Sequence, residues 1–199
     1  MLKQNLFAIA LLTSFISVSG AATLVVNGSG QLTGATDVNV SGTSYDVNFY
    51  EGTFSDVFGS ASGLDAINST EAEAFSVALL AQVFVDGPQG SFDSNPMNTY
   101  GCIYDNLCWV FTPYNVVSDT INVYMATNDE QEAPVRTTGS GDTTREWTTT
   151  TVFDSAHTGP TGSKVLWADW SVSAEVPIPA AAWLFGSALI GLVGIKRKK

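Results

Sequence analysis

The sequence predicts an α+β, mainly β domain: an antiparallel sheet or a sandwich with one amphipathic helix, between two terminal addressing segments. Three observations predict it. Gly, Ser, Thr, Asn and Asp separate short hydrophobic stretches through the middle of the 199-residue chain, which is typical of strands joined by tight turns. One window, 70–85, has a helical period instead. An uncharged apolar run lies near each end, as in segments that enter membranes.

Residues 1–21 have the features of a signal peptide. Lys3 precedes an apolar run over 6–16, which is shorter than the roughly 20 residues that a membrane-spanning helix needs. Ser19 and Ala21 supply the small side chains of a cleavage site, which we predict after Ala21. A buried N-terminal helix is the alternative, and the small residues directly behind the apolar run argue against it.

The middle domain, 22–175, contains a clear β-hairpin over 38–49. Apolar and polar residues alternate on both sides of the Ser41-Gly42 dipeptide, as a half-buried antiparallel pair joined by a tight turn requires. Other predicted strands are Cys108 to Phe111, Thr120 to Ala126, Glu146 to Phe153 and Lys164 to Ser173. The polar stretch from Asn128 to Asp142 is predicted to be a mobile loop.

The predicted helix, about 70–85, begins with Thr70 and Glu73, which have the spacing of a capping box. Asp86-Gly87-Pro88 is predicted to end it. Its apolar residues form two neighbouring stripes, which together favour a helix packed on a sheet. The stripes are Ala72, Phe75, Leu79 and Val83, and Val77, Leu80, Ala81 and Phe84.

Cys102 and Cys108 are the two cysteines of the chain. In an exported protein an even pair six positions apart is predicted to form a disulfide that closes a small loop. A redox-active pair is disfavoured because the spacing is not C-x-x-C.

The sequence contains no recognisable catalytic set, so we expect a protein that is not an enzyme and has no cofactor. His157, the single histidine, lies in a small-residue stretch without a nucleophile motif. One histidine is also too few for a zinc site. Asp93, Asn95 and Asn98 offer oxygen ligands, but their spacing departs from a calcium-binding loop and favours an Asx-rich turn. No metal site is therefore expected.

Two other functions stay open. Asp169 lies between Trp167 and Trp170, and an acid beside aromatic residues is a feature of sugar-cleaving sites, which would make the protein a hydrolase of surface polymer. The alternation of this strand nevertheless places Trp170 toward a core. A carbohydrate-binding module would use exposed aromatic rings, for which the candidates are Trp109, Trp147 and Trp167.

Charge excludes one class of partner. The chain has 8 basic and 19 acidic residues. Between residues 22 and 175 the basic residues are Arg136, Arg145 and Lys164, against all 19 acidic ones, so the middle domain carries a net charge of −16. Such a surface repels the phosphates of nucleic acids, and binding to nucleic acid is not expected.

The final segment, 176–199, reads VPIPAAAWLFGSALIGLVGIKRKK. A proline motif is followed by an uncharged stretch over 180–195, which as a helix would be about 24 Å long, and then by a cluster of cations that favours the cytoplasmic side. The motif is Val176, Pro177, Ile178 and Pro179, and the basic anchor is Lys196, Arg197, Lys198 and Lys199.

This segment resembles the PEP-CTERM protein-sorting signal of Gram-negative bacteria, with Ile178 in place of the glutamate that gives the signal its name. The resemblance implies an exosortase-type transpeptidase and the inner membrane as partners, and cleavage near 177–179. It implies a protein anchored on the periplasmic side and then moved to the cell surface or outside the cell, where extracellular polysaccharide or biofilm would be its setting. The resemblance does not extend to the middle domain.

Overall fold

The computed structural model describes residues 21–104, 106–130, 142–150 and 165–174. Within these ranges the protein is a mainly-β domain built on a seven-stranded sheet with strand order β1-β2-β3-β9-β6-β7-β8. The strands of this sheet are β1 (Thr23–Val26), β2 (Leu32–Val40), β3 (Thr43–Tyr50), β6 (Leu107–Val117), β7 (Thr120–Asp129), β8 (Thr143–Thr150) and β9 (Val165–Val172). The other elements are the short pair β4 (Asp86–Gly87) and β5 (Gly90–Ser91), the helices α1 (Phe54–Phe58) and α2 (Ser69–Ala78), and single 3₁₀ turns at Ala61–Gly63 and Pro96–Asn98.

The predicted mainly-β domain with one longer helix is confirmed, but the sheet is mixed, so the prediction of an antiparallel sheet or a sandwich-like arrangement is wrong. Strands β1-β2-β3 and β6-β7-β8 are two antiparallel meanders. Strand β9 lies between them, antiparallel to β3 and parallel to β6. Because β3 and β6 run in opposite directions, a strand inserted between them must be parallel to one of the two.

The predicted β2–β3 hairpin is confirmed. Val38 pairs with Tyr45 and Val40 pairs with Thr43. The turn residues Ser41 and Gly42 have φ values of 52° and 92°. Two central residues with positive φ are the mark of a type I′ turn, whose twist matches that of the flanking strands.

The predicted helix is present, but it begins one residue earlier, at Ser69, and its N-cap lies two residues before the predicted one. The N-cap of α2 is Asn68, whose side chain accepts a hydrogen bond from Glu71 N at 3.0 Å. The Glu71 carboxylate accepts one in return from Ile67 N at 3.0 Å. The capping box predicted from Thr70 and Glu73 is therefore wrong, because Asn68 has the extended backbone that a cap needs and Thr70 already lies inside the helix.

The helix continues past α2 with a π-helical turn over Leu79–Val83, in which Phe84 N donates to Leu79 O at 2.8 Å. Ser69–Val83 is thus one helix of 15 residues, shorter at its end than predicted. Its first predicted stripe is confirmed as buried. The second stripe is wrong in part: Phe84 is buried, but Val77 is 48% exposed and Ala81 is exposed as well.

The helix packs on one face of the sheet, which we call the first face. There the Trp170 ring lies 4.5 Å from that of Phe75, and Tyr45 packs edge-on to Phe75 at 4.8 Å. Trp170 is 3% exposed, which confirms its predicted place in the core. Other members of this core include Val47, Phe84 and Leu166.

The opposite, second face of the sheet carries its own hydrophobic cluster beneath α1. Trp167 is fully buried there between Phe54, Phe58 and Phe111, with ring centroids 5.7–5.9 Å apart. Its indole N–H donates to Gly52 O at 2.9 Å. Strand β9 is therefore covered on both faces.

Several predicted features lie outside the described residues. They are most of the signal peptide (1–20), the sorting segment with its transmembrane helix and basic anchor (176–199), most of the polar loop (131–141), His157, Lys164 and residues 151–153 of the strand that was predicted to reach Phe153. Within the described ranges, none of the helices has the length and apolar character required to cross a membrane.

Candidate functional site

The three tryptophans predicted as exposed sugar platforms have different environments. Trp167 is 0% exposed, so its prediction as a surface ring is wrong; the strand that carries it is buried on both sides. Trp109 is partly buried against the cluster of the second face. Trp147 on β8 is 42% exposed and is the one of the three whose ring offers a surface to a ligand.

Trp147 lies on the second face beside Arg145, because residues two apart on a strand point the same way. The Arg145 guanidinium is 4.6 Å from the centre of the indole ring, which is within the range of a cation–π contact. A shallow depression of about 340 Å³ is lined by Glu146, Trp147 and Thr148. The exposed ring and the cation therefore lie together on the second face, whereas the side chain of Glu146, between them in sequence, points to the first face.

A cluster of two tyrosines and two glutamates lies on the first face, where α2 crosses the sheet. The Tyr114 hydroxyl donates to Glu146 Oε1, and Tyr124 donates to Glu73 of the helix. Burial, followed by the hydrogen bond and charge of Glu146, raises the pKa of Tyr114 to about 12. Burial and then Glu73 likewise raise the pKa of Tyr124. Both hydroxyls are therefore neutral donors, and the cluster joins the helix to strands β6, β7 and β8.

Asp169, the candidate acid of a hydrolase, lies half-buried on the second face, and burial raises its pKa. The structure brings it near Asp65, which follows the 3₁₀ turn after α1. Asp65 is an exposed residue, yet enough protein surrounds its carboxylate that burial, together with the charge of Asp169, raises its pKa to about 6. The sequence offered no signal for Asp65, because the two residues are remote in the chain.

Cys102 and Cys108 form the predicted disulfide, with their Cα atoms 5.5 Å apart. Both are buried. The bond closes the loop that leads into β6, where Cys108 pairs with Asn128 of β7. It is therefore placed to hold the start of β6.

The loop containing Asp93, Asn95 and Asn98 is organised mainly by Asp86. The Asp86 carboxylate accepts hydrogen bonds from Asp93 N at 3.0 Å and Ser94 N at 3.1 Å. The hydrogen bond from the Ser94 side chain is the main cause that lowers the pKa of Asp86. Asn98 donates its amide to Ser91 O at 3.0 Å. Asn98 thus holds the turn in the described structure, as the interpretation of this segment as an Asx-rich turn expects.

Within the ranges that the structure describes, no three His, Cys, Asp or Glu side chains are arranged to hold a metal ion by themselves. Comparison of the chain with protein-family models, with curated proteins and with solved structures found no match.

Proposed function

We propose that this chain is an exported, membrane-tethered bacterial surface protein that is processed by an exosortase-type transpeptidase and has no enzymatic activity of its own. The observation that carries the proposal is the order of three features in the last 24 residues: the VPIP motif, an uncharged helix-length stretch and four consecutive cations. A membrane-inserted helix with cations at its end favours the orientation in which those cations stay in the cytosol.

Two features of the middle domain support this proposal. The Cys102–Cys108 disulfide suits the oxidising compartment that an exported chain enters. The strong negative charge of the domain repels anionic lipid headgroups and nucleic acid. It therefore favours a location in the aqueous space outside the membrane. We expect extracellular polysaccharide or biofilm to be its final surroundings.

Cell fractionation tests the proposal in two bacterial hosts that differ in the presence of an exosortase. The variants are the full chain, a chain ending at residue 175, and Pro177→Ala/Pro179→Ala. Pro88→Ala, in an exposed turn of the middle domain, is the matched control. We expect the full chain and the control to stay in the inner membrane without exosortase and to be shortened and released with it. The truncated chain should never be retained, and the double variant should be retained without being cut. An identical location for all four chains, with the full chain left uncut in the host that has the exosortase, would contradict the proposal.

A second candidate function is carbohydrate recognition on the second face, and the exposed Trp147 ring favours it. Aromatic rings bind the apolar faces of sugars, and Arg145 holds this ring while offering hydrogen-bond donors at its side. The surface would act in addition to sorting, as the part of the exported protein that meets a polymer.

Glycan-array binding by the full chain in detergent tests this second candidate. Trp147→Ala is the decisive variant, and Tyr50→Ala is a matched control because Tyr50 is 43% exposed, almost the same as Trp147. We expect the Trp147 variant to lose at least tenfold in affinity and the Tyr50 variant to bind normally. Absence of binding by the wild type, or equal binding by all three proteins, would eliminate the candidate.

A further inference from the structure

Three buried side-chain atoms in the described residues have no hydrogen-bond partner, and all three are oxygens: Asn95 Oδ1, Thr99 Oγ1 and Asn128 Oδ1. Asn95 and Thr99 belong to one loop, and Asn128 is bonded to that loop through Phe92. A buried acceptor left without a partner destabilises the folded protein. The two amide oxygens, Asn95 Oδ1 and Asn128 Oδ1, can only accept, so each of them is suited to a donor or a cation.

Asn128 is the most informative of the three, because it is 0% exposed. Its Nδ2 donates to Phe92 O at 2.7 Å. Since a carbonyl can only accept, the nitrogen must face Phe92, and the amide oxygen must point away from it. The orientation of Oδ1 is thus determined by the fold.

Two acidic residues, Asp142 and Asp93, lie on the segments next to this amide. Thr127 of β7 pairs with Thr143 of β8, so that Asp142, one residue further along, adjoins Asn128. Asp142 Oδ1 accepts a hydrogen bond from Asp129 N at 2.9 Å. Asp93 directly follows Phe92, and its charge acts on Asp142 together with that of Asp129. Burial is the main cause that raises the pKa of Asp142 to about 6, and these two charges add to it. Asp93, Asp129 and Asp142 are therefore near enough to interact in the region that contains Asn128.

We propose that Asp93 and Asp142 form a calcium site with the amide oxygens of Asn95 and Asn128. Calcium accepts six to eight oxygen ligands in irregular geometry, including carboxylates, amide oxygens and water, whereas magnesium demands a near-ideal octahedron. Two carboxylates with neutral oxygens make up a weaker set than a group of three acids, so an affinity of about 10⁻⁴–10⁻³ M, as in extracellular modules, is expected. The proposal is independent of the sorting signal and of sugar binding.

Calorimetric titration of the full chain in detergent tests the site, after treatment with EDTA and desalting. We expect one calcium ion to bind per chain in saturable fashion, and magnesium to bind at least tenfold more weakly. Asp142→Asn and Asp93→Asn should each weaken calcium binding at least tenfold. Asn128→Asp, which adds a carboxylate in nearly the same shape, should tighten it. Asp119→Asn, in the exposed β6–β7 turn, is the control and should bind as the wild type does.

Circular dichroism identifies any variant that fails to fold. The calcium affinities of the variants that do fold then test the site. The proposal is overturned if the wild type shows no saturable calcium binding, if magnesium binds equally well, or if the folded variants bind as the Asp119 control does. A merely structural role for these residues predicts that Asn128→Asp lowers the melting temperature without any gain in calcium affinity.

Discussion

Asp169 on β9 lies close enough to Asp65 for their charges to interact. Burial, together with the charge of Asp169, raises the pKa of Asp65 to about 6. The two carboxylates come from distant parts of the chain and meet on the second face of the sheet, beside the cluster that contains Trp167 and Leu64. An acidic pair in which burial raises both pKa values can serve proton transfer, or it can be a strained feature of the fold. Two measurements separate these roles.

The first prediction concerns the stability of Asp65→Asn. The folded protein binds a proton on Asp65 more readily than the unfolded chain does, since the pKa is raised from 3.8 to about 6. Stability from this group is therefore gained as pH falls from about 6 toward 4, and is lost as pH rises through 6. We expect Asp65→Asn to stabilise the protein at pH 7 by about 1 kcal/mol, after allowance for solvent screening, and to have no effect near pH 4. Urea unfolding across this range, with Asp119→Asn as control, measures it.

The second prediction addresses hydrolysis. If the acidic pair is a feature of the fold, the full chain releases no reducing sugar from bacterial surface polysaccharides, and neither Asp169→Asn nor Asp65→Asn changes that result. A reducing-end assay at pH 5 to 7 covers the range in which Asp65 titrates. Turnover by the wild type that disappears in a folded Asp169→Asn variant would show that the protein is a hydrolase.

The third prediction concerns the hydrogen bond from Tyr114 to Glu146. Tyr114→Phe removes the donor, and we expect it to lower the free energy of unfolding by about 1 kcal/mol, as the loss of one partly exposed hydrogen bond does. Because the pKa of Tyr114 is raised to about 12, the wild type loses this contribution as pH rises from 10 to 12. An alkaline absorbance titration should lose its highest tyrosine step in the variant. Tyr50→Phe, on an exposed side chain, should leave that step in place.

The fourth prediction concerns the Cys102–Cys108 disulfide. A cross-link over so short a loop stabilises a protein by about 2 kcal/mol in the loop-entropy model. Cys102→Ser/Cys108→Ser, or a reducing agent, should therefore lower the free energy of unfolding by this amount. The reducing agent should have no effect on the double variant. An unchanged melting temperature on reduction would mean that the bond does not stabilise the folded domain.

Local sequence signals predicted the elements that depend on neighbouring residues. Alternation on both sides of Ser41-Gly42 located the β2–β3 hairpin, because turn and register are set within a dozen residues. One apolar stripe located the buried side of α2. The N-cap was misplaced because two candidate caps, Asn68 and Thr70, lie two residues apart, and their local chemistry is similar.

The rest depends on contacts between distant segments. The parallel pairing of β9 with β6 results from the position of β9 between β3 and β6. No pattern within the sequence of β9 predicts that position. Trp167 and Trp170 point to opposite faces of β9, so a core position for Trp170 predicts an exposed Trp167. Helix α1 covers Trp167 instead, and α1 is too short to be recognised from its periodicity. The approach of Asp65 to Asp169, and the hydrogen bond of Asn128 to Phe92, likewise follow only from the assembled sheet.

The central claim is that the chain is exported and that both of its ends are removed. The intact mass of the native protein, measured without reduction, tests this most directly. We predict a species that begins at Ala22, ends near residues 177–179 before any attached group, and is lighter by two hydrogens for the disulfide. A chain of 199 residues that retains Met1 and Lys199, recovered from the cytosol with both thiols free, would contradict the account.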